Sequence, residues 1–494
     1  MFPALIAAAL VILGILYAWF REPNGLPPGP FSWPIIGNLV IFKEGAPFKA
    51  MSEWSKQYGQ IYRMYFGNQL VISLNSIEAV KEALIKQSDN FAGRPNLYTF
   101  RRLENGPYGL VTNDGPEQRE QRRFALQVLR DLGFGRPIIE ERIQYETGSW
   151  IEEIGQSEGT SIDISFPLKV CVVNIIMSLL FGKSFKPSDK EFNRYQQGVA
   201  ENIVLLQKAN ILSFLPFLQY IIPNGLGMKQ AMINKAVVDK FLLKQIKEHE
   251  EEIDFETESY QDYTEAFLKR RRKLEESGEA KSSFSDHQLL AALADMFLAG
   301  FETTVTTLLW SILYLCDNPD VQEKVYQEIT TEVGGSPRWD DRGKLPYVNA
   351  VLMECQRLAN IIPLGVFHRN YEPANLLGYQ IPADTVVIIN HWEVMRDPKI
   401  FQSPEKFDPN RFMPGIEGNT EEVLHDRKEA LIPFSLGRRA CLGETLARME
   451  LFLIFTSFFH TFKISMPNGK KPDLTPRFGL TLAPRLFELV LNRR

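Results

Sequence analysis

The sequence predicts a mainly α-helical protein with a minor β-sheet region, an α+β fold class. Residues 61–74 alternate apolar and polar side chains about a Gly67-Asn68 turn, which is typical of a β-hairpin. Residues 285–317 and residues 444–459 are long, largely apolar stretches at helical spacing. We therefore expect a helical body in which the strands are a small, early element.

The composition of the chain excludes several function classes. Its 55 Lys and Arg residues against 60 Asp and Glu residues leave a net charge of −5, so the chain lacks the bulk positive charge of a nucleic-acid-binding protein. Hydrophobic residues make up 45% and charged residues 23%, which fits neither a disordered chain nor a multi-spanning transporter. The 34 phenylalanines point to a large apolar interior or pocket.

The four cysteines, at positions 171, 316, 355 and 441, form no close pair in the sequence. This spacing excludes a disulfide scaffold and a CxxC zinc site, and it indicates reduced thiols in a cytosolic environment. The first three cysteines stand in apolar helical contexts, where an inert core role is the usual one. Cys441 stands apart because glycines and arginines flank it.

The N-terminal segment differs from the rest of the chain. Residues 2–20 are 19 consecutive uncharged positions, and as a helix they would span about 28 Å, close to the hydrocarbon thickness of a bilayer. We predict a transmembrane anchor at residues 1–21, with Arg21 favouring a cytosolic body by the positive-inside rule. A cleaved signal peptide is the alternative, but the basic start and the terminal small-residue site that it requires are missing.

The prolines that follow the anchor predict a stiff, extended hinge over residues 22–30, since Leu26-Pro27-Pro28-Gly29-Pro30 excludes helix. Length alone suggests about three domains. However, no internal repeat and no Gly/Ser-rich linker divides the remainder. We predict one catalytic domain over residues 31–494.

Several common catalytic motifs are absent from the sequence. The chain has no GxxxxGK[ST], GxSxG or HExxH motif and no complete GxGxxG. Phosphate-binding, serine-hydrolase, zinc-protease and dinucleotide-binding functions therefore lose support. Electrons for any redox reaction would have to come from another protein.

A polar island interrupts the long apolar helix predicted to begin with a Ser285 cap and to end at Asn318-Pro319. The island is Ala299-Gly300-Phe301-Glu302-Thr303-Thr304. It has two interpretations: a small-residue packing notch with a back-bonded threonine, or a groove that admits a flat ligand beside a proton-relay pair.

Near the C-terminus, Cys441 opens a helix predicted for residues 444–459. The free N–H groups and the positive end of the helix dipole favour a thiolate at such a position. A nucleophilic cysteine would need a histidine base, and none of the six histidines is local in the sequence. Metal ligation is the better fit.

The loop around Cys441 matches the haem-binding pattern FxxGxRxCxG of the cytochrome P450 superfamily at every fixed position. Three further signatures of that superfamily, AGxETT, ExxR and PxRF, precede it in the right order. The chain therefore resembles this superfamily over essentially its whole length, and its LPPGP, FAGRP and RRxCLGE segments are most similar to the animal microsomal family 2 enzymes. The matching residues are Phe434, Gly437, Arg439, Cys441 and Gly443 in the loop, Ala299–Thr304, Glu354 with Arg357, and Pro409–Phe412.

The resemblance implies the roles of individual residues. Cys441 would be the axial thiolate ligand of the iron of haem b, with O₂ and NADPH-derived electrons as co-substrates. Glu302 and Thr303 correspond to the acid–alcohol pair that supplies protons during O₂ reduction. Glu354, Arg357 and Arg411 correspond to a structural ion-pair lock. The expected cofactor contacts are Arg439, Arg122, His368 and Arg94 at the haem propionates and Ala299, Gly300, Phe434 and Gly443 elsewhere.

One position departs from the family pattern. The family's helix usually carries WxxxR, whereas here Gln118 stands four residues before Arg122. An amide can still donate a hydrogen bond, but the indole is lost, so Gln118 is not assigned to the site.

The resemblance also implies a reaction and its surroundings. We expect a haem-thiolate monooxygenase of the endoplasmic-reticulum membrane, facing the cytosol, that oxidises a lipophilic small molecule and receives electrons from NADPH-cytochrome P450 reductase, with cytochrome b5 as a second candidate donor. A reductase-independent isomerase or dehydratase of lipid peroxides and a non-catalytic haem-binding protein are the alternatives. The expected pocket segments are residues 97–110, 202–217, 294–303, 361–367 and 478–480. A basic proximal face is also expected, although its arginines could equally form an ordinary solvated face. These arginines are Arg119, Arg122, Arg123, Arg130 and Arg438.

Overall fold

A computed structural model describes residues 24–43, 45–134, 137–186, 188–278 and 283–494 of the chain. The described chain is mostly helical with small sheets, so the predicted fold class is confirmed. The α-helices are α1 (Pro47–Tyr58), α2 (Ile77–Lys81), α3 (Tyr98–Leu103), α4 (Gly115–Asp131), α5 (Pro137–Gly155), α6 (Ser165–Phe181), α7 (Lys190–Ala209), α8 (Ile211–Phe214), α9 (Leu218–Ile221), α10 (Met228–Glu252), α11 (Tyr263–Glu276), α12 (Asp286–Asp317), α13 (Pro319–Glu332), α14 (Pro346–Ala359), α15 (His391–Val394), α16 (Glu421–Ala430) and α17 (Glu444–Thr461).

The strands form small sheets at the edge of the helical body. The largest has the order β1-β2-β7-β4, in which β2 and β7 are parallel and the other pairs are antiparallel. The strands are β1 (Ile61–Phe66), β2 (Gln69–Leu74), β3 (Ser161–Ile162), β4 (His368–Arg369), β5 (Ala374–Leu376), β6 (Tyr379–Ile381), β7 (Val386–Ile389), β8 (Phe462–Ser465), β9 (Arg477–Phe478), β10 (Leu482–Ala483) and β11 (Leu489–Arg493).

The predicted hairpin at residues 61–74 is confirmed as β1 and β2. Ile61 pairs with Leu74 and Phe66 with Gln69, so the two-residue turn falls at Gly67-Asn68. Gly67 has a φ of +62°, the left-handed conformation that glycine adopts without strain. Because β2 continues the sheet to β7, an early hairpin and a late strand share one hydrophobic cluster.

Helix α12 is the central element of the core. The Ser285 hydroxyl accepts a hydrogen bond from the N–H of Gln288 at 3.2 Å, so the predicted cap is confirmed. The helix ends at Asp317, where Asn318 and Pro319 start α13. Among the described residues, one helix is long and apolar enough to cross a membrane, and it is this one, which is mostly buried against α6, α14 and α17.

The predicted anchor at residues 1–21 lies outside the described residues. Residues 26–30 carry neither helix nor strand, as expected of a proline-rich segment. They do not stand free, because the carbonyls of Pro27 and Pro28 accept hydrogen bonds from the side chain and backbone of Arg63 at 2.7 and 2.9 Å. This part of the hinge therefore packs along β1.

Candidate active site

The Cys441 loop is shaped by a close backbone approach. Gly437 has a φ of +76°, and a Cβ at this position would lie 2.0 Å from the carbonyl oxygen of Leu84. Only glycine fits there. After the short turn Gly437–Arg439, the N–H of Cys441 donates to the carbonyl of Phe434 at 2.9 Å, and α17 starts three residues later. The loop is thereby closed on itself at the cysteine.

Cys441 differs from the other three cysteines in accessibility. Cys441 is exposed, whereas Cys171, Cys316 and Cys355 are buried. Although solvent reaches its side chain, the sulfur is surrounded by protein, and this burial raises the pKa of the Cys441 thiol. The N–H of Gly443 and the charge of Arg122 lower the pKa by less than burial raises it. The expected local preference for thiolate is therefore outweighed unless a bound metal ion stabilises the charge.

Two arginines near the loop are buried and bonded to backbone carbonyls. Arg439 donates to the carbonyls of Ala92, Leu110 and Asn113 at 2.8, 3.4 and 2.6 Å. Arg94 donates to the carbonyl of Val111 at 3.1 Å and to that of Phe367 at 2.9 Å. Burial is the main cause that lowers the pKa of Arg439 to about 10 and that of Arg94 to about 9.

Arg122 and His368 complete this cluster, which we call the cation cluster (Arg94, Arg122, His368 and Arg439). Arg122 donates to the carbonyl of Ala440, next to Cys441. His368 Nδ1 donates to the carbonyl of Phe91 at 2.8 Å. Burial and the charges of Arg94 and Arg439 hold the pKa of His368 well below its usual range.

The cation cluster carries a net positive charge, which the nearby carboxylate of Asp114 offsets only in part. Across the described ranges, no carboxylate lies within ion-pair distance of the guanidinium groups of Arg94, Arg122 or Arg439. These groups also lower one another's pKa values. A buried positive charge of this kind favours an anionic ligand, and planar guanidinium groups are suited to carboxylates.

Helix α12 contributes a second set of predicted residues. Ala299 is exposed in the middle of this core helix. The Thr303 hydroxyl donates to the carbonyl of Ala299 at 2.7 Å, and Glu302 accepts from the hydroxyl of Thr481 at 3.1 Å. At Gly300 a Cβ would lie 2.6 Å from Ile176 of α6, so this glycine serves helix packing. The structure thus shows the packing notch at Gly300 and the back-bonded Thr303, and the ligand groove with its proton-relay pair stays a prediction.

The segments expected to line a substrate pocket converge in space. One hydrophobic cluster joins Leu97, Phe214, Leu364, Phe367 and Phe478, one or two residues from each of four expected segments. The fifth segment reaches the same region, because Glu302 on α12 bonds to Thr481 beside Leu482 of that cluster. The structure therefore brings these distant stretches of chain to one apolar region.

Glu354, Arg357 and Arg411 form a separate, fully paired cluster, which we call the arginine lock. Arg357 donates to both carboxylate oxygens of Glu354 at 2.7 and 2.9 Å, and both side chains are 0% exposed. Arg411 donates to the same carboxylate at 3.2 Å. Further guanidinium N–H groups donate to backbone carbonyls, including those of Met395 and Ser403.

Comparison with known proteins decides the family. The family model described as Cytochrome P450 matches residues 27–491. The chain belongs to the cytochrome P450 family. It is 34% identical to cytochrome P450 2U1 of Homo sapiens over 99% of this chain and 93% of that protein. It is 36% identical to cytochrome P450 2G1 of Rattus norvegicus over 100% of this chain and 99% of that protein, and 34% identical to cytochrome P450 2J2 of Homo sapiens over 94% and 90%.

Membership of the cytochrome P450 family makes the protein a haem-thiolate monooxygenase, and the residues described here fit that cofactor. The exposed thiol of Cys441 is a suitable soft ligand for iron. The net positive charge of the cation cluster suits the carboxylates of a haem. The family resemblance expected from the sequence, most similar to the family 2 enzymes, is confirmed.

Two acidic residues in the core of this cytochrome P450 were not predicted from the sequence. Asp295 of α12 accepts hydrogen bonds from the N–H groups of Leu110 and Val111 at 2.7 and 3.0 Å. Glu450 of α17 accepts from the hydroxyl of Thr304 at 3.0 Å, and burial raises the pKa of Glu450 to about 8. The signal for both was available, since each is an acidic residue within an apolar helical stretch.

Proposed function

We propose that this enzyme inserts one oxygen atom from O₂ into a lipophilic small molecule by hydroxylation or epoxidation. Its cofactor would be haem b, and its electrons would come from NADPH. The observation that carries the proposal is that the exposed Cys441 thiol follows directly on a cation cluster whose guanidinium groups form no ion pair with a carboxylate of the described residues.

Five residues of the chain would hold the haem. Cys441 would ligate the iron, and Arg94, Arg122, His368 and Arg439 would hold the propionates. Carboxylates placed beside His368 would favour its protonated form. When bound, the haem supplies the activation of O₂.

Proton supply falls to α12. The carboxylate of Glu302 and the hydroxyl of Thr303 are adjacent in sequence but differ in their hydrogen-bond partners, Thr481 and Ala299. A carboxylate can take up and release a proton, and a hydroxyl can accept and donate at once, so the two suit a relay. Lys169 lies close enough to Glu302 for the two charges to interact, although burial outweighs this contact and lowers the pKa of Lys169.

The substrate class follows from the apolar region that joins Leu97, Phe214, Leu364, Phe367 and Phe478. Aromatic and aliphatic side chains select a ligand by shape and exclude water from it. We place fatty acids, steroids and lipophilic foreign compounds in this class.

The redox partner is proposed to be NADPH-cytochrome P450 reductase, with cytochrome b5 as a second donor. Arg119, Arg123 and Arg130 are exposed on α4, the helix that also carries Arg122. Within the described residues, none of the three pairs with a carboxylate, whereas exposed Arg438 pairs with Asp89 at 2.7 Å. An unpaired basic surface would steer an acidic electron donor to the Cys441 side of the enzyme.

Attachment to the endoplasmic-reticulum membrane, with the catalytic domain cytosolic, is supported by exposed apolar side chains. Phe31, Trp33 and Ile35 are 63%, 56% and 59% exposed, and Tyr220 and Ile221 are 87% and 68% exposed. The two segments lie on one side of the molecule, because the N–H of Gly67 donates to the carbonyl of Ile36 and Phe66 packs on Phe214. We propose that this side contacts lipid and that residues 1–21 anchor it.

Reconstitution tests the proposal. The purified enzyme with reductase, phospholipid and NADPH is expected to consume NADPH and O₂ with a lipophilic substrate and to form an oxygenated product. The reduced carbon monoxide complex is expected to show the strongly red-shifted Soret band of thiolate ligation, and Cys441→Ser is expected to lose both. Turnover of lipid peroxides without reductase would indicate the isomerase or dehydratase function, and bound haem without any turnover would indicate a binding protein.

A further inference from the structure

The segment Gly109–Asn113, which we call the clamp loop, has no helix or strand to satisfy its backbone. Side chains from α12 do so instead. Gln288 accepts from the N–H of Gly109 at 3.0 Å and donates to its carbonyl at 3.4 Å. Asp295 accepts from the N–H groups of Leu110 and Val111. Gly109 has a φ of +91°, and a Cβ at this position would lie 2.4 Å from the Asp295 carboxylate. The backbone of the clamp loop therefore packs directly against Asp295, with no room for a side chain between them.

The carbonyl of Leu110 is the point where the clamp loop meets the haem side. It accepts one hydrogen bond from Gln118 of α4 at 3.3 Å and another from Arg439 at 3.4 Å. Gln118 is 3% exposed, so its side-chain amide is shielded from bulk water. Two donors on one oxygen use both of its lone pairs.

A second contact closes these groups into a ring. Gln118 and Arg122 lie one turn apart on α4, hence on the same face. Arg122 donates to the carbonyl of Ala440, the residue between Arg439 and Cys441. From Gln118 the contacts run through Leu110 to Arg439, along the chain to Ala440, and through Arg122 back to α4.

We propose that Gln118 is a positioning residue for the haem site. By holding the Leu110 carbonyl, Gln118 fixes the direction in which Arg439 presents its guanidinium and the separation between α4 and the Cys441 loop. The residue acts through Arg439 and touches no reacting atom. The proposal rests on haem binding at Cys441.

The test compares two variants of the full-length holoenzyme. Gln118→Met keeps the length of the side chain and removes its donor. Gln121→Met is the matched control, because Gln121 lies on the same helix, is 0% exposed and donates to Ser283 at 2.8 Å, outside the ring. The measurements are the rate of ferric haem transfer to apomyoglobin, the reduction potential of the iron, amide exchange at Leu110 and Val111, and the free energy of unfolding.

We expect Gln118→Met to release haem about five-fold faster, the factor that one hydrogen bond supplies. It is also expected to shift the potential and to speed exchange at Leu110. Gln121→Met is expected to lower the free energy of unfolding as much as Gln118→Met does. It is expected to leave the rate of haem transfer and the reduction potential of the iron unchanged. Equal effects of the two variants on haem transfer, or unchanged transfer and exchange in Gln118→Met, would overturn the proposal.

Two further measurements keep the outcome decisive. If Gln118→Met does not fold, Gln118→Asn, which keeps the amide but withdraws it by one carbon, is expected to shift haem transfer and Leu110 exchange in the same directions. Unchanged values in Gln118→Asn then count against the ring. Absence of the thiolate Soret band from the reduced carbon monoxide complex of the unmodified enzyme would instead contradict haem ligation by Cys441.

Discussion

The cation cluster and the arginine lock both bury arginines on backbone carbonyls, yet they differ in charge balance. In the arginine lock, Arg357 and Arg411 share the carboxylate of Glu354. In the part of the cation cluster that the structure describes, the guanidinium groups of Arg94, Arg122 and Arg439 donate to carbonyls and form no ion pair with a carboxylate. Carbonyls satisfy N–H donors but leave the net charge in place. The comparison predicts that the arginine lock stabilises the fold and that the cation cluster binds an anionic ligand.

The largest expected effect comes from breaking the charge balance of the arginine lock. Glu354→Gln leaves two buried guanidinium groups without a counter-charge, and we expect the free energy of unfolding to fall by about 3–5 kcal/mol. Denaturant unfolding measures it. Glu276→Gln removes an exposed ion pair with Arg272 and should cost less than about 1 kcal/mol. A similar loss in both variants would contradict the comparison.

A substitution in the cation cluster should change the rate of haem loss more than the free energy of unfolding. Arg439→Met removes a charge-assisted partner of the haem carboxylates, worth about 1.5–3 kcal/mol, so ferric haem should transfer to apomyoglobin about ten to a hundred times faster. Arg427→Met is the control, because Arg427 is also bonded to a backbone carbonyl, that of Arg411 at 2.8 Å, but lies in the arginine-lock region. Unchanged haem transfer in Arg439→Met would remove the anion-binding role.

The reverse imbalance, a buried carboxyl group without a cation, predicts a pH dependence. Burial raises the pKa of Glu450 to about 8, above its ordinary value of 4.5. The folded state therefore holds a proton that the unfolded state has lost, and stability falls as pH rises from 4.5 to 8.

Glu450→Gln keeps an acceptor for Thr304 and removes this titration. The variant should be about 4 kcal/mol more stable than the unmodified protein at pH 8 and equal to it near pH 4.5. Unfolding curves across this pH range measure the difference in stability between the two proteins. His368 makes an opposite contribution, which is lost as pH falls below its ordinary pKa. This contribution is the same in both proteins and cancels in the difference. A difference that does not grow with pH would contradict the assignment.

The smallest effect on stability is expected at Thr303, whose hydroxyl bonds only within its own helix. Thr303→Ala should change the free energy of unfolding by less than about 0.5 kcal/mol. It should nevertheless divert electrons from product to hydrogen peroxide, measured as peroxide formed per NADPH consumed. Thr304→Ala is the neighbouring control, expected to cost about 1–2 kcal/mol through Glu450 and to leave that ratio unchanged. Equal ratios in the two variants would remove Thr303 from the relay.

Local signals in the sequence were sufficient for much of the fold. The alternation around Gly67-Asn68 defined a hairpin whose register the structure confirms, and the cap at Ser285 marked the start of α12. Glu354 and Arg357, which the resemblance implied to be an ion pair, stand three residues apart on α14 and do pair. Each of these features depends on residues within a few positions of one another.

Contacts between distant residues could not be predicted in this way. Glu302 meets Thr481, 179 residues away, and Asp295 meets Leu110, 185 residues away. The pKa of Cys441 makes the same point. Its flanking N–H group acts locally and lowers the pKa, but burial, which depends on the whole tertiary structure, raises it by more.

Because the four cysteines differ in accessibility, alkylation of the chain can report which fraction of a preparation holds haem. Cys171, Cys316 and Cys355 are buried, so a reagent in the solvent does not reach their thiols. Cys441 is the exposed thiol. An alkylating reagent should therefore add a single label to each chain that lacks haem and none to each chain that holds it, and mass spectrometry of a preparation would count the two populations.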